Sequence, residues 1–148
     1  AIAREAAWRS VLLEHGRRVP PVVLGDWSPD SGYRATRQLL AAERPTAVLV
    51  ANDQMALGAF RALLEAGLRV PQDVSVVGFD NIDEAVAFPS PLTTVAQDWE
   101  MVGREALRVA LSMLEGGPPQ TVSLPTHLVL RASTGPAPSS SPEGEGQA

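Results

Sequence analysis

The 148-residue sequence lacks cysteine, and all twelve of its basic residues are arginine. Without cysteine there can be no disulfide bond, no thiolate metal site and no cysteine nucleophile. Seventeen acidic residues outnumber the basic ones, so the net charge is −5 and this chain has no electrostatic footprint for a nucleic-acid backbone. Lysine is absent as well, and we attribute this bias to a GC-rich genome rather than to function.

Sequence signals for catalysis, metal binding and membrane insertion are also missing. There is no GxSxG nucleophile elbow, no GxxxxGK[ST] phosphate loop and no GxGxxG after a strand, so an enzyme is not expected. His15 and His127 have no second histidine at ligand spacing, and neither a metal nor a cofactor is expected. No apolar run is long enough to cross a membrane. The opening AIAREAAWRS has no secretory signal, and a cytoplasmic location is expected.

What the chain does contain is a repeated alternation of apolar runs and amphipathic segments. Continuous apolar runs are typical of parallel strands that are covered on both faces. The alternation therefore predicts an α/β fold with a parallel sheet and helices on both sides. The predicted strands are 20–24, 46–51, 73–79, 92–95, 121–124 and 127–131. The predicted helices are 2–15 with Gly16 as C-cap, one that is capped by Asp30 or Ser31 and runs to about Glu43, one over about 53–66 and one over about 98–115.

Three of the predicted strands end in polar or aromatic residues. These ends are Gly25-Asp26-Trp27, Asn52-Asp53 and Asp80-Asn81. In open parallel sheets, ligands bind at the carboxyl ends of the strands. Three such ends together favour a binding site at this edge of the sheet.

Each of these residues also has an ordinary structural interpretation. Asp53 is expected to cap the helix that follows it, while Asn52 either caps that helix or reaches a ligand. Asp80 either shapes a turn or belongs to the site. Trp27 lies in a polar loop, as a lid or as a stacking platform for a ligand. Trp8 is expected in the core.

Trp99 begins an apolar stripe on the last predicted helix. A stripe with this three- and four-residue spacing is mainly a packing face, and Trp99 at its tip could also touch a ligand. The stripe comprises Trp99, Val102, Ala106, Val109 and Met113.

Several longer strings resemble one known family. VANDQMALGA (50–59), GLRVPQDVSVVGFD (67–80) and PLTTVAQDW (91–99) resemble the lactose/galactose-repressor family of bacterial transcriptional regulators. GDWSPDSGY (25–33) is similar to the lactose-repressor branch of that family. The matches keep their order and cover about residues 1–134.

The resemblance implies a Rossmann-like subdomain of the type I periplasmic-binding-protein fold. It implies an incomplete copy of that fold, without the DNA-binding headpiece, most of the first subdomain and the first strand of the second. Residues 1–96 and 126–134 would form the second subdomain, and 97–125 would belong to the first. The Pro/Ser/Gly/Glu-rich tail 135–148 is expected to be disordered.

The resemblance also implies function, site residues and partners. The function would be binding of a sugar or glycoside, such as a galactoside, that controls operator binding through the headpiece. The alternative is a periplasmic sugar-binding protein of a transport system. A homodimer is expected, with Leu57 and Phe88 at its interface, although the lactose-repressor branch has Tyr in place of Phe88 and Phe in place of Trp99. The implied effector contacts are Arg4, Trp27, Asn52, Asp80, Gln97 and Trp99.

Overall fold

The computed structural model describes residues 2–138 and contains four α-helices, one 3-10 helix and four strands in that range. The part of the predicted disordered tail from residue 139 onward lies outside the described residues. The elements are α1 Ile2–Glu14, α2 Pro29–Ala42, β1 Ala47–Leu49, α3 Asp53–Glu65, β2 Ser75–Asp80, the 3-10 helix Asp83–Ala87, β3 Thr93–Gln97, α4 Trp99–Leu114 and β4 Thr126–Val129.

The four strands form one sheet in the order β1-β2-β3-β4. β1, β2 and β3 are parallel, with Val48 opposite Val76 and Phe79 opposite Val95. β4 runs antiparallel to β3. The predicted α/β class and the predicted parallel sheet are therefore confirmed, because the β-α-β connection through α3 places its two strands side by side in the same direction.

Two predicted strands are absent from the described part of the chain. Residues 20–24 and 121–124 have no strand partner there, and both predictions are wrong. Val22 and Leu24 are 41% and 87% exposed. A strand is stable only when a neighbour pairs its N–H and C=O groups, so apolar composition alone is not sufficient.

The core lies between the sheet and the helix pair α2–α3. Glycine allows these helices to touch backbone to backbone, because a Cβ on Gly32 would collide with the Met55 carbonyl and one on Gly58 with the Pro29 carbonyl. α3 supplies the side chains that face β1 and β2, and the 3-10 helix closes the core with Ala85. The central buried residues are Val48, Ala56, Ala59, Leu63, Val74, Val76 and Leu92.

The remaining helices bury much less. α1 and α4 have no buried residue, and Trp8, predicted to lie in the core, is half-buried. α1 ends at Glu14, and Gly16, the predicted C-cap, follows it with φ of 63° and donates its N–H to Leu13 O at 2.9 Å. No helix among residues 2–138 is long and apolar enough to cross a membrane.

Ser133, in the segment after β4, joins two strands. Its hydroxyl donates to Val76 O at 2.6 Å and accepts from the Thr93 N–H at 2.7 Å. Ser133 is fully buried, and its backbone also bonds to Val76 and Pro91. Arg131, two residues earlier, belongs to the same network, because its N–H donates to Thr93 Oγ1 at 2.9 Å.

Candidate functional site

Of the two residues that follow β1, Asn52 has one of the two roles predicted for it, and Asp53 does not have the role predicted for it. Asn52 caps α3, because its Oδ1 accepts from the Met55 N–H at 2.9 Å. Its Nδ2 donates to Trp27 O at 3.2 Å and ties the loop before α2 to the start of α3. The side-chain amide keeps a second N–H and a second lone pair beyond these two bonds. The prediction that Asp53 is the cap is wrong.

Asp53 points under the sheet edge instead of towards solvent. Its side chain is fully buried, and it accepts from the Thr94 hydroxyl at 2.6 Å and from the Ile82 N–H at 3.0 Å. The missing Cβ of Gly78 leaves the space for this carboxylate. The two carboxylate oxygens of Asp53 therefore connect α3 to β3, through Thr94, and to Ile82, the residue that follows Asn81.

A similar correction applies to α2. Its N-cap is Ser28, whose Oγ accepts from the Ser31 N–H at 3.1 Å, not Asp30 or Ser31 as predicted. Asp30 lies in the first helical turn and pairs with Arg34. The cap sits directly after Trp27, so the helix start and the Asn52 bond together define the position of the Trp27 loop.

Asp80 ends β2 in an unusual backbone conformation. Its φ is 108° and that of Asn81 is 56°, a region that L-residues rarely occupy. Gln97 donates from Nε2 to Asp80 Oδ1 at 3.0 Å. Burial raises the pKa of the Asp80 carboxyl above its ordinary value, the charge of Asp53 adds to the rise, and Arg4 and Gln97 oppose it.

Arg4 reaches the same edge from α1. Its Nη1 donates to Ala51 O at 2.7 Å, and its guanidinium lies 4.1 Å from the centre of the Phe79 ring. It is 6.0 Å from the Trp27 ring, whose side chain is 52% exposed. Cation–π contacts orient the guanidinium and leave N–H donors for a ligand.

A hollow opens beside Asp80. Its volume is about 540 Å³, and Trp99, 59% exposed, forms one wall. It thus combines a carboxylate, further polar groups and an aromatic face, which is the combination that binding pockets for polar organic molecules use. Its lining residues are Asp80, Asn81, Ile82, Asp83, Glu84 and Trp99.

All six predicted ligand contacts lie near the carboxyl edge of the sheet. Hydrogen bonds or ring contacts connect Arg4 and Asn52 to Trp27, and Gln97 to Asp80. Trp99 shares the hollow with Asp80. The roles of these six residues in ligand binding stay predictions. No group of three or more His, Cys, Asp or Glu in the described range is arranged to hold a metal ion.

Sequence reasoning missed several residues that support this edge. Phe79 is the platform for Arg4, and Asp53 with Thr94 holds the turn after Asp80. Arg131 donates to Asn81 Oδ1 at 2.7 Å and to Leu92 O at 2.8 Å. One available signal was the Thr93-Thr94 pair, because two hydroxyls inside an otherwise apolar buried strand require hydrogen-bond partners.

The two predicted interface residues differ in exposure. Leu57 is 48% exposed on α3. Phe88 is 6% exposed and packs edge-to-face on Phe60, with ring centres 5.2 Å apart, so its side chain belongs mainly to the core. Both residues border one surface groove, beside Gln54 and Pro89. A contact with a second subunit through this groove stays a prediction.

Comparisons with known proteins agree with this architecture. A family model described as a periplasmic binding protein-like domain matches residues 1–134. The lactose operon repressor of Escherichia coli (strain K12) is 42% identical over 138 residues, which cover 88% of this chain and 37% of that protein.

Solved structures agree as well. The lac repressor dimer bound to operator and the anti-inducer ONPF has a TM-score of 0.82 and 41% identity, over 88% of this chain and 46% of that one. The complex of the transcriptional regulator CelR with cellobiose has a TM-score of 0.81 and 40% identity, over 85% and 40%.

The fold and the family match define a periplasmic binding protein-like domain. Given the identity to repressors over most of its length, the chain belongs to the lactose/galactose-repressor family of transcriptional regulators. It spans between 37% and 41% of the length of the first curated relatives that it matches.

Proposed function

We propose that this chain is the effector-binding portion of a transcriptional repressor and that its effector is a sugar or glycoside. The observation that carries the proposal is the Asp80 carboxylate, hydrogen-bonded to Gln97 in a hollow with Trp99 as one wall. The relatives support it, because one solved structure holds operator with an anti-inducer and another holds cellobiose.

The chemistry of the hollow suits a pyranose ring. A carboxylate can accept from two neighbouring hydroxyl groups, and hydrogen bonds to charged groups contribute about 1.5–3 kcal/mol each. Arg4 and Asn52 would donate to sugar oxygens. The exposed rings of Trp27 and Trp99 offer flat faces for the C–H side of the ring.

Binding would act on DNA through a change in population. In this proposal a helix-turn-helix headpiece of the longer protein contacts the operator, and residues 97–125 belong to the subdomain nearer to it. The sugar would favour one arrangement of the two subdomains because it binds the alternative states unequally. The absence of buried residues on α4 is consistent with a helix whose cover comes from another subdomain.

We further propose that the intact protein is a cytoplasmic homodimer with Leu57 at its interface.

A sugar-binding protein of a transport system shares this fold. It is not favoured, because the matched relatives are repressors and structures of regulators. An operator-binding assay on the intact protein separates the two functions, since a transport protein would not bind the operator at all.

The test of the site is Asp80→Ala in the intact protein. We expect the variant to bind operator normally in a mobility-shift assay and to lose its release by sugar, measured with lactose, galactose and cellobiose. Asp73→Ala is the matched control, because Asp73 pairs with Arg69 before the amino end of β2, away from the hollow. Unchanged release in Asp80→Ala would remove this carboxylate from the site.

The aromatic wall can be tested separately. Trp99→Phe replaces the indole beside Asp80 with a smaller phenyl ring, so we expect a change in the relative affinities for the three sugars. Isothermal titration calorimetry measures the three affinities in both proteins, because it does not depend on the tryptophan that is replaced. An unchanged preference order would show that Trp99 does not touch the sugar.

A further inference from the structure

Asp53 is a buried carboxylate that the proposed binding contacts do not use. It is 0% exposed, so it cannot touch a ligand in the hollow. It is also unnecessary as a helix cap, because Asn52 has that role. A buried charge is costly unless several hydrogen bonds satisfy it, so its presence at the sheet edge requires an explanation.

The explanation lies in what its hydrogen bonds hold. Asp53 Oδ2 accepts from the N–H of Ile82, which follows the two residues with positive φ. Asp53 Oδ1 accepts from the Thr94 hydroxyl, and the same hydroxyl accepts from the Asn81 N–H at 3.4 Å. Asp53 thus binds directly or through Thr94 to both residues that follow Asp80.

The φ of 108° at Asp80 is unfavourable for an L-residue and persists only where the surroundings impose it. The backbone of this turn is held from the α3 side by Asp53. From the other side, Arg131 binds the Asn81 side chain. The direction in which the Asp80 carboxylate points depends on this turn.

We propose that Asp53 is a positioning residue for the ligand-binding carboxylate: with Thr94 it fixes the 80–82 turn and thereby directs Asp80 into the hollow. This inference rests on the proposed sugar-binding function. It assigns Asp53 a role in affinity that is separate from contact with the sugar.

Asp53 also adds a negative charge near Asp80. The other charged groups around Asp80 are Arg4 from α1 and, along the same hollow, Asp83 and Glu84 of the 3-10 helix. Because the charge of Asp53 raises the pKa of Asp80, a neutral residue at position 53 lowers it. Since the sugar needs the ionised carboxylate, the pH at which binding is lost on acidification should fall in Asp53→Asn. A substitution of Asp53 that only loosened the fold would weaken binding without changing the pH at which binding is lost.

The experiment measures affinity and its pH dependence in the intact protein. The probe is whichever of lactose, galactose and cellobiose the wild type binds, followed by tryptophan fluorescence. Asp53→Asn and Thr94→Val should each weaken binding at neutral pH by about tenfold, the effect of losing one hydrogen bond. Thr94→Ser keeps the hydroxyl and should retain wild-type affinity. Only Asp53→Asn should shift the acid limit to lower pH. Asp73→Asn is the matched control and should change neither quantity.

The outcomes separate the two proposals. If the wild type binds none of the sugars, both the proposed function and this inference fail. If the wild type binds a sugar and Thr94→Val binds it equally well, the positioning role is wrong while sugar binding stands. An equal loss in Thr94→Val and Thr94→Ser, with no pH shift in Asp53→Asn, would also overturn it.

Discussion

At the scale of single residues, Asp80 is placed where binding and stability conflict. Its φ of 108° is unfavourable for any residue with a Cβ, at a cost of about 1–3 kcal/mol. Burial and the charge of Asp53 also disfavour its ionised form. The fold therefore tolerates an unfavourable residue at the position where the proposed ligand needs a carboxylate.

Asp80→Asn should stabilise the domain at neutral pH. The pKa of Asp80 is raised in the folded state, so its contribution to stability is fully present below the ordinary value of 3.8 and is lost as pH rises through the raised pKa. The amide removes this loss, while its Oδ1 can still accept from Gln97. Urea unfolding should show a gain at neutral pH that disappears below pH 3.8. A gain of equal size at both pH values would contradict the electrostatic explanation.

Asp80→Gly tests the backbone contribution. Glycine adopts positive φ without a steric penalty, so we expect a further gain of about 1 kcal/mol over Asp80→Asn. Gly16→Ala is the opposite control, since Gly16 also has positive φ and should lose stability. If Asp80→Gly is no more stable than Asp80→Asn, the conformation of this turn is not strained.

At the scale of elements, the contact between α2 and α3 depends on glycine. A Cβ at Gly58 would collide with the Pro29 carbonyl and come within 2.6 Å of the Tyr33 nitrogen. Gly58→Ala should therefore lower the free energy of unfolding by about 1–3 kcal/mol, as overpacking of a tight interface does. Thermal unfolding would measure this loss.

Gly103→Ala is the matched control, because Gly103 is also inside a helix and a Cβ there meets nothing within 4 Å. This variant should gain about 0.5–1 kcal/mol from the better helix propensity of alanine. A Gly58→Ala protein as stable as Gly103→Ala would show that α2 and α3 can separate without cost.

Sequence reasoning was accurate for helices and weaker for their caps and for strands. The predicted bounds of the helices at 2–15, 53–66 and 98–115 lie within one residue of α1, α3 and α4, because helical periodicity is local. The choice between Asn52 and Asp53 as cap was decided by Thr94 and the Ile82 N–H, donors that come from distant parts of the chain.

The strand errors and the choice of site residues also depend on whether the signal is local or comes from distant parts of the chain. Residues 20–24 and 121–124 have suitable composition but lack a neighbouring strand in the described sheet, and no local pattern shows a missing neighbour. Asn52 and Asp80, which follow or end observed strands, and Trp27, which lies in a loop after a strand that does not form, could be selected as candidates from the pattern alone. Arg4 and Gln97 required the family resemblance, since an arginine on a helix has no distinguishing local signal.

At the scale of the whole molecule, the two faces of the sheet are covered unequally. Val48 and Val76 lie on the face that α3 covers, and both are buried. The alternating strand pattern puts Leu49 and Phe79 on the opposite face, and cross-strand register adds Leu128. On that face Leu49 and Leu128 are each 54% exposed. Parallel sheets are normally covered on both sides.

We therefore expect the 148-residue chain by itself to self-associate. Exposed apolar surface of this extent favours contact with other apolar surface, and α4 adds Leu107 and Leu111 at 61% and 51% exposure. Sedimentation velocity should show species larger than a monomer. Leu49→Thr with Leu128→Thr should reduce them, because threonine keeps β propensity and adds a hydroxyl. Leu64→Thr is the control, since Leu64 is 74% exposed on α3 away from the sheet. A monomer with one cooperative melting transition would contradict the expectation, because the uncovered face would then be compatible with an independently stable domain.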